Sequence, residues 1–511
     1  MKERYLTIME VSQKQSYIFS SNKLRDNIVN SAVIAWIMSE DYFEESINNK
    51  EVFSKEENVV YSGGGHIVLE FAAKEVAGEF VKKITKKIRE EYPGIEVFAK
   101  TIEYSHDLSA GKNVKHLIEE LERKKSIRKS AFHQGSFGIE RIDTNTLKPV
   151  LENSTRKDNS GEMPEKEEEI DKSLIPEGFK PVYEFGRLGG SKNENNFIGI
   201  VHIDGNAMGK RVENLYQKMD NDSEKKDKEA TWKDYKEKLR AFSEGIDQDF
   251  KASYKEMTEI IAEELRNGRL DELDIDMEEK NFPVRRIITA GDDICFVSEG
   301  RIGIECAAKF IEILSKKINK IDHETYAACA GVAIVHQKYP FYKAYDLAEM
   351  LCSNAKKFGA GLSKDGMGKD ISVIDWHIEY GEIKDTLEEV RESYLTMDGN
   401  KMQLRPYILC GDKEIISNHP VRLYSSFKKI RKELWEEHDS YARSKVKELR
   451  QAIKEGEEAS KVFLKFHKMQ DITAGHKEAR ETGFMEIEDG SKASILFDAI
   501  ELADAFISLD E

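Results

Sequence analysis

The chain has 511 residues, of which 34% are charged, and its formal net charge at pH 7 is −17. This length allows roughly three or four domains, and the acidity argues against a broadly basic nucleic-acid surface. No apolar run approaches the roughly 20 residues that span a bilayer, and no signal-peptide pattern is present, so we expect a cytoplasmic protein. The five cysteines form no Cys-x-x-Cys pair, which argues against a disulfide framework and a zinc ribbon.

The first 104 residues predict the order strand, helix, hairpin, helix, strand. Apolar residues alternate in the predicted strands and recur every three or four positions in the predicted helices. The predicted bounds are 5–11, 15–42, 59–71, 75–91 and 95–104.

The tip of the first predicted hairpin is rich in glycine and lacks acids. Gly63, Gly64, Gly65 and His66 form this tip, and Glu10 ends the preceding strand where a metal-binding Asp would be expected. We therefore expect no metal here, although a glycine-rich tip lets a nucleotide approach the backbone.

Residues 105–195 predict a connecting region. A helix is expected over 117–130, and its basic cluster at 123–129 suits either a phosphate backbone or a solvated helix end. The segment 152–172 is rich in charged and small polar residues, which predicts a mobile loop or linker.

The same order of elements recurs over 196–380. An apolar strand at 197–203 ends at Asp204, and a second hairpin at 286–297 carries Gly291, Asp292 and Asp293 at its tip. Further elements are a charged loop at 220–229, a long helix at 235–266, an acidic loop at 271–280, a helix at 302–318, a strand at 325–335 and a helix at 341–358.

The three acids of the second copy predict a metal site. Adjacent carboxylates repel each other, and a set of oxygen ligands suits Mg²⁺ or Mn²⁺. The alternative is structural, since Asp-Asp commonly forms turns and Asp204 could cap a helix. The two motifs together, in this order, favour the metal site.

These motifs resemble the second palm domain of the large polymerase-cyclase subunit of type III CRISPR effector complexes, a relative of GGDEF nucleotide cyclases. The resemblance rests on Asp204-Gly-Asn-Ala-Met-Gly, on Ala290-Gly-Asp-Asp and on the run from Ala330 to Lys356. Ala290 stands where the family usually has glycine. The resemblance implies an α+β fold with two ferredoxin-like palm domains (βαββαβ) packed face to face, plus a C-terminal helical domain.

The resemblance divides the chain into four parts. We expect a first palm without metal acids at 1–104, an inter-palm region with a charged linker at 105–195, a catalytic second palm at 196–380 and a helical domain at 415–511. The family's HD nuclease domain has no counterpart in the sequence, because His106-Asp107 and His438-Asp439 are isolated pairs. We therefore expect no DNA cleavage.

The implied activity is metal-dependent nucleotidyl transfer, which makes cyclic oligoadenylates or cyclic dinucleotides from ATP in antiviral defence. Asp204, Asp292 and Asp293 are the implied catalytic residues and would hold two Mg²⁺ or Mn²⁺ ions. The implied nucleotide-binding residues are Gly205, Asn206, Ser243, Gly291, Lys356, Gly64, Gly65, Lys23 and Arg25.

Three alternatives stay open. The chain could be a cyclase that works outside any complex, a template-directed polymerase, or a non-catalytic scaffold subunit of an RNA-guided effector complex. The expected partners are ATP, guide or target RNA and other CRISPR subunits that bind the C-terminal helical domain, and no membrane is expected.

Overall fold

The computed structural model describes residues 3–63, 65–92, 94–127, 162–190, 196–223, 228–275, 279–381, 385–435 and 441–510. The strands are β1 (Tyr5–Ser12), β2 (Val59–Gly63), β3 (His66–Phe71), β4 (Glu96–Glu103), β5 (Phe197–Gly205), β6 (Val284–Ala290), β7 (Asp293–Glu299), β8 (Ala328–His336), β9 (Ile371–Glu379), β10 (Tyr407–Gly411), β11 (Phe484–Glu486) and β12 (Lys492–Ser494). The α-helices are α1 (Lys14–Ile18), α2 (Leu24–Ile37), α3 (Glu40–Ile47), α4 (Lys55–Asn58), α5 (Lys74–Glu91), α6 (Ala110–Ser126), α7 (Glu165–Ser173), α8 (Met208–Ser223), α9 (Lys228–Arg266), α10 (Gly303–Leu314), α11 (Phe341–Leu362), α12 (Leu387–Glu392), α13 (Lys413–Asn418), α14 (Tyr424–Trp435), α15 (Arg443–Glu455), α16 (Glu457–His467) and α17 (Phe497–Glu501). Within these ranges, no helix is long and apolar enough to cross a membrane.

Two sheets repeat one strand order. The first sheet has the order β2-β3-β1-β4, and the second contains β6-β7-β5-β8 in the corresponding places, extended by β9 and β10. All strand pairs are antiparallel except β8 with β9. This topology confirms the predicted α+β fold with two ferredoxin-like palms. The second sheet includes β10, which lies beyond the predicted bound at residue 380.

The two palms pack against each other reciprocally. Helix α2 of the first palm lies on edge strand β6 of the second, and α9 of the second lies on edge strand β2 of the first. Arg240 of α9 donates to the Val59 carbonyl at the start of β2 at 3.0 Å. A second hydrogen bond between the palms joins other elements, because the Phe341 amide at the start of α11 donates to Asn22, just before α2, at 3.0 Å. The buried side chains of each palm therefore continue into the core of the other.

Several predicted boundaries were wrong. The helix predicted over 15–42 is three helices, because Ser21 accepts a hydrogen bond from the Lys23 amide before α2 and Ser39 caps α3. These side-chain bonds compete with a continuous helix. The loop predicted over 220–229 is helical through Ser223 and again from Lys228.

Helix α7 corrects the prediction of a linker over 152–172, of which residues 162–172 are described. Asp171 accepts hydrogen bonds from Arg285 at 2.7 and 2.6 Å, and both side chains are buried. Burial alone would raise the pKa of Asp171, but the adjacent arginines hold it below its usual value. At the other end of the helix, Lys166 lies 2.7 Å from Asp41 of the first palm. Helix α7 therefore contacts both palms through charged side chains.

The C-terminal part is mainly helical, as predicted, with the two-stranded sheet β11–β12 added. Arg405 lies in its core beside Asp498 and Glu501, and all three side chains are fully buried. The Asp498 carboxylate also accepts hydrogen bonds from the Leu404 amide and the Tyr407 hydroxyl at 2.9 Å each. This polar network joins α17 to the end of the second sheet.

Candidate functional site

The three predicted acids meet at the end of β5. Asp204 lies directly opposite Asp293 on β7, and the Gly205 amide donates to the Asp292 carbonyl at 3.1 Å. Opposed residues on antiparallel strands share a face of the sheet, so the carboxylates of Asp204 and Asp293 lie side by side. The structure thus brings together residues that are far apart in sequence.

Two glycines allow this close approach. Gly291 has φ +65°, a conformation that favours glycine, at the turn between β6 and β7. A Cβ atom at Gly205 would lie 2.8 Å from Met208 and 2.9 Å from the Cβ of Asp292. A larger residue at position 205 would therefore push the acid hairpin away from β5.

Neither Asp292 nor Asp293 forms an ion pair with a lysine or arginine of the described ranges. Burial, followed by the nearby Asp204 carboxylate, raises the pKa of Asp292 and the pKa of Asp293 to about 7 each. The Oδ1 atom of Asp293 is buried and has no hydrogen-bond partner within the described ranges, although 40% of the side chain is exposed. His202 lies 3.5 Å from this atom, and burial lowers the pKa of its imidazole. A neutral imidazole does not compensate the negative charge of Asp293.

Lys356 is the cation closest to Asp204. Its Nζ lies 2.6 Å from Asp204 Oδ2 and 3.1 Å from the Gly205 carbonyl oxygen. Burial would lower the pKa of Lys356, but the Asp204 carboxylate outweighs it and the net pKa is raised. The lysine that the resemblance assigns to phosphate therefore lies at the acid site as a counter-ion.

The first palm contributes side chains to this site. Gln15 donates to the Tyr345 hydroxyl at 3.0 Å and to Glu349 at 3.2 Å, and the Tyr345 ring contacts His202 with ring centroids 5.5 Å apart. The ammonium of Lys14 interacts electrostatically with Asp293. Sequence reasoning missed these residues, although His202 precedes Asp204 by two positions and therefore shares its face of the strand.

The equivalent position in the first palm is differently composed. Glu10 on β1 lies opposite His66 on β3, as Asp204 lies opposite Asp293. Lys125 of α6 lies 2.7 Å from Glu10 and so occupies the place that Lys356 of α11 has in the second palm. Burial, aided by Lys14, lowers the pKa of His66 to about 4.

The remaining predicted residues lie at several places. Ser243 donates to the Ser62 carbonyl at 3.0 Å, between α9 and β2, and Gly65 lies against Lys14. The Asn206 side chain is buried and donates to the Gly368 and Ile371 carbonyls at 2.9 Å each.

Two predicted basic residues and one glycine complete this set. The side chains of Lys23 and Arg25 are exposed at the start of α2, and neither forms an ion pair with an acid that the structure describes. Gly64 lies outside the described residues.

A divalent cation fits the chemistry of the acids. Carboxylate oxygens suit Mg²⁺ or Mn²⁺, and the unpartnered buried oxygen of Asp293 has a free lone pair. Across the described ranges, however, no group of three or more His, Cys, Asp or Glu residues is arranged to hold a metal ion. A cation that used all three acids would therefore need Lys356 to leave Asp204.

Comparisons with known proteins agree with the fold of the chain. The family described as Cas10/Cmr2, second palm domain, matches residues 197–366. Csm1 in T.onnurineus has the same fold, with a TM-score of 0.56 and 15% identity over 99% of this chain and 69% of that chain. A chain of the Csm1-Csm4 cassette in complex with cA4 gives a TM-score of 0.55 and 13% identity, covering 99% of this chain and 69% of that chain.

A further chain, from the Csm1-Csm4 cassette in complex with one ATP, gives a TM-score of 0.53 and 14% identity, covering 99% of this chain and 70% of that chain. No curated protein sequence gives a significant match. We conclude that the chain resembles the Cas10 palm-domain subunit of type III CRISPR effector complexes, with residues 197–366 matching the second palm domain of that family.

Proposed function

We propose that the chain is a metal-dependent nucleotidyltransferase that makes cyclic oligoadenylates, or a cyclic dinucleotide, from ATP in antiviral defence. The observation that carries this proposal is the cluster of Asp204, Asp292 and Asp293, whose last two members have a pKa raised to about 7. A fold has no need of such repulsion unless a cation relieves it. The Csm1-Csm4 cassettes of the same fold are bound to cA4, cA3 and ATP, which supports the choice of substrate and product.

The proposed roles follow from the contacts of each side chain. Asp204, Asp292 and Asp293 would hold Mg²⁺ or Mn²⁺, which lowers the pKa of an attacking ribose hydroxyl and screens a triphosphate. Lys356 would exchange its ion pair with Asp204 for a phosphate, which also binds a compact ammonium well. The backbone at Gly205 and Gly291 would allow the nucleotide to approach the acids.

The proposal extends to the organisation of the chain. We assign the first palm to 1–104, the inter-palm region to 105–195, the second palm to 196–380 and the helical domain to 415–511. The second palm would hold the donor ATP, with Ser243 near the adenine base. The first palm would hold the acceptor nucleotide, with Lys23, Arg25 and the glycine-rich tip at 64–65 as contacts. Guide or target RNA and other effector subunits are the proposed partners, in the cytoplasm.

Product analysis tests this proposal. The purified full chain is incubated with each NTP and Mg²⁺ or Mn²⁺, and the products are separated by chromatography and weighed by mass spectrometry. We expect a cyclic adenylate product that is lost in the double variant Asp292→Ala, Asp293→Ala. The matched control is Glu388→Ala, Glu389→Ala, an adjacent pair of exposed acids on α12, which should retain full activity. Equal product from both double variants would overturn the assignment.

One observation favours a non-catalytic scaffold subunit as the second candidate. Lys356 neutralises Asp204 directly, and no ready-made cluster of metal ligands exists within the described ranges. A scaffold would give no product even in the complex purified from a lysate with its RNA. Product in that complex alone would indicate a synthase that needs RNA or partner subunits.

A further inference from the structure

A groove with its own set of side chains lies between α15 and the segment 393–402 in the C-terminal part. Its volume is about 410 Å³, within the range of roughly 300–1,000 Å³ that is usual for small-molecule sites. It shares no residue with the carboxylate site. Basic and polar residues of α15 form one wall, and Tyr394, Met402 and Phe497 line the other.

The basic wall presents three cations on one face of a helix. Lys447, Arg450 and Lys454 follow a spacing of three and four, and all three are exposed. Lys447 lies 2.7 Å from Asp504, whereas no acid of the described ranges forms an ion pair with Arg450 or Lys454. In a chain with a net charge of −17, two uncompensated cations in a concave site create a local positive potential.

Aromatic packing fixes the position of Arg450. Its guanidinium carbon lies 5.6 Å from the centre of the buried Phe497 ring, and Phe497 contacts Tyr394 edge-on with centroids 5.7 Å apart. Tyr394 in turn lies 5.7 Å from the guanidinium of the buried Arg405. The groove therefore has a rigid wall with one partly exposed aromatic ring beside a preoriented guanidinium.

We propose that this groove binds a nucleoside phosphate, either as a free nucleotide or as part of a single-stranded RNA. The phosphate would lie between Arg450 and Lys454, where charge-assisted hydrogen bonds are strongest. The base would stack on the Tyr394 ring or on the exposed plane of the Arg450 guanidinium. Stacking does not read base edges, so we expect binding to tolerate any base.

The test measures binding without catalysis. All experiments use the full chain with Asp292→Ala and Asp293→Ala, in EDTA, so that failure of the proposed synthase activity has no bearing on the result. The two probes are uridine 5′-monophosphate, followed by calorimetry, and a fluorescein-labelled decauridylate RNA, followed by anisotropy. Binding of the monophosphate identifies a free-nucleotide site, and binding of the RNA alone identifies a strand site.

The decisive variant is Arg450→Gln, Lys454→Gln, with Lys445→Gln, Lys461→Gln as the control. The control also removes two positive charges, but Lys445 and Lys461 are only partly exposed, lie outside the groove and are paired with Glu448 and Glu481 at 2.7 and 2.9 Å. We expect the first variant to weaken binding at least about tenfold and to flatten the salt dependence of RNA binding by about 0.7 per lost phosphate contact. The control should bind as the parent does.

Two outcomes would overturn the proposal. Absence of saturable binding of both probes to the parent means that α15 presents only a solvated basic face. Equal weakening in the two variants means that binding follows net charge rather than this groove. Thermal unfolding of each variant checks that the helix remains intact.

Discussion

The two palms share a strand order but differ in charge balance at the same position. In the first palm, Glu10 is paired with Lys125 and lies opposite His66, whose low pKa keeps it neutral. In the second palm, Lys356 forms an ion pair with Asp204, while Asp292 and Asp293 form none with a lysine or arginine of the described ranges, and their pKa values are raised. One backbone thus supports a self-neutralised site and a site with excess negative charge. The difference lies in side chains, not in topology.

Substitution of Asp204 should give the largest difference in activity between matched changes in the two palms. We expect Asp204→Asn to lower kcat/KM for product formation by ~10³-fold or more, because an amide cannot replace a carboxylate beside a divalent cation. The matched change in the first palm, Glu10→Gln, should lower it by less than about tenfold, because the amide oxygen can still accept a hydrogen bond from Lys125. Steady-state kinetics of both variants measures the contrast. Equal losses would show that both palms have the same chemical role.

Substitution of the two lysines that pair with Asp204 and Glu10, Lys356 and Lys125, should give a smaller difference in activity than substitution of the acids. Lys356→Met should lower kcat/KM for ATP by about 10- to 100-fold, the free energy of one hydrogen bond between charged groups. Lys125→Met should change it less, because its partner Glu10 has no other acid beside it. If Lys356 only neutralises Asp204, its loss should leave the affinity for ATP unchanged, and a titration with a non-hydrolysable analogue measures that affinity.

The raised pKa values of Asp292 and Asp293 predict a pH dependence of metal binding. Asp292 and Asp293 have a pKa of about 7, so protons compete with the cation for these carboxylates. The affinity for Mn²⁺ should therefore rise between pH 6 and 8, by up to about tenfold per pH unit for each proton that metal binding releases. Without metal, these two carboxyl groups bind more protons in the folded state than in the unfolded state between about pH 4 and 7, so their contribution to stability should fall as pH rises. Calorimetric Mn²⁺ titration and thermal melts at several pH values measure both effects. Asp292→Asn should reduce them, and a flat profile would contradict the prediction.

Removal of one contact between the palms, that of Gln15 with Tyr345 and Glu349, should have the smallest effect on activity. Gln15→Leu removes hydrogen bonds to Tyr345 and Glu349 and should lower the free energy of unfolding by about 1 kcal/mol. It should also lower kcat more than it raises KM, because it alters the support behind Asp293 rather than a substrate contact. The control is Gln217→Leu on the exposed face of α8, which should affect neither quantity. Steady-state kinetics and denaturant unfolding of Gln15→Leu and of its control test this prediction.

Local patterns in the sequence predicted much of the fold and the acid cluster. The strand that ends at Asp204 and the hairpin with Asp292 and Asp293 depend on neighbouring residues, namely apolar alternation and a turn glycine. The assigned roles of these residues stay predictions, as do those of Ser243, Lys356, Lys23 and Arg25. The repeated order of elements predicted the two palms because each repeat carries its own apolar pattern.

The missed features depend on residues that are distant in sequence. Asp171 is buried only because Arg285, 114 positions later, offers two hydrogen bonds, so a charged segment that resembled a linker is a helix. Gln15 reaches Tyr345 across 330 positions, and no local pattern around Gln15 indicates that contact. The breaks at Ser21 and Ser39 were missed because the apolar spacing continues across both side-chain caps.

Helix α7 has a mechanical consequence for the second palm. Its end at Asp171 is anchored on β6, the strand that leads into the acid turn, while Lys166 is tied to Asp41 on the surface of the first palm. A macromolecule that displaced this helix would therefore also displace β6. Helix α7 therefore links the surface of the first palm to the strand that leads into the acid turn. We expect a displacement of α7 to shift β6 and, with it, the carboxylates at its end.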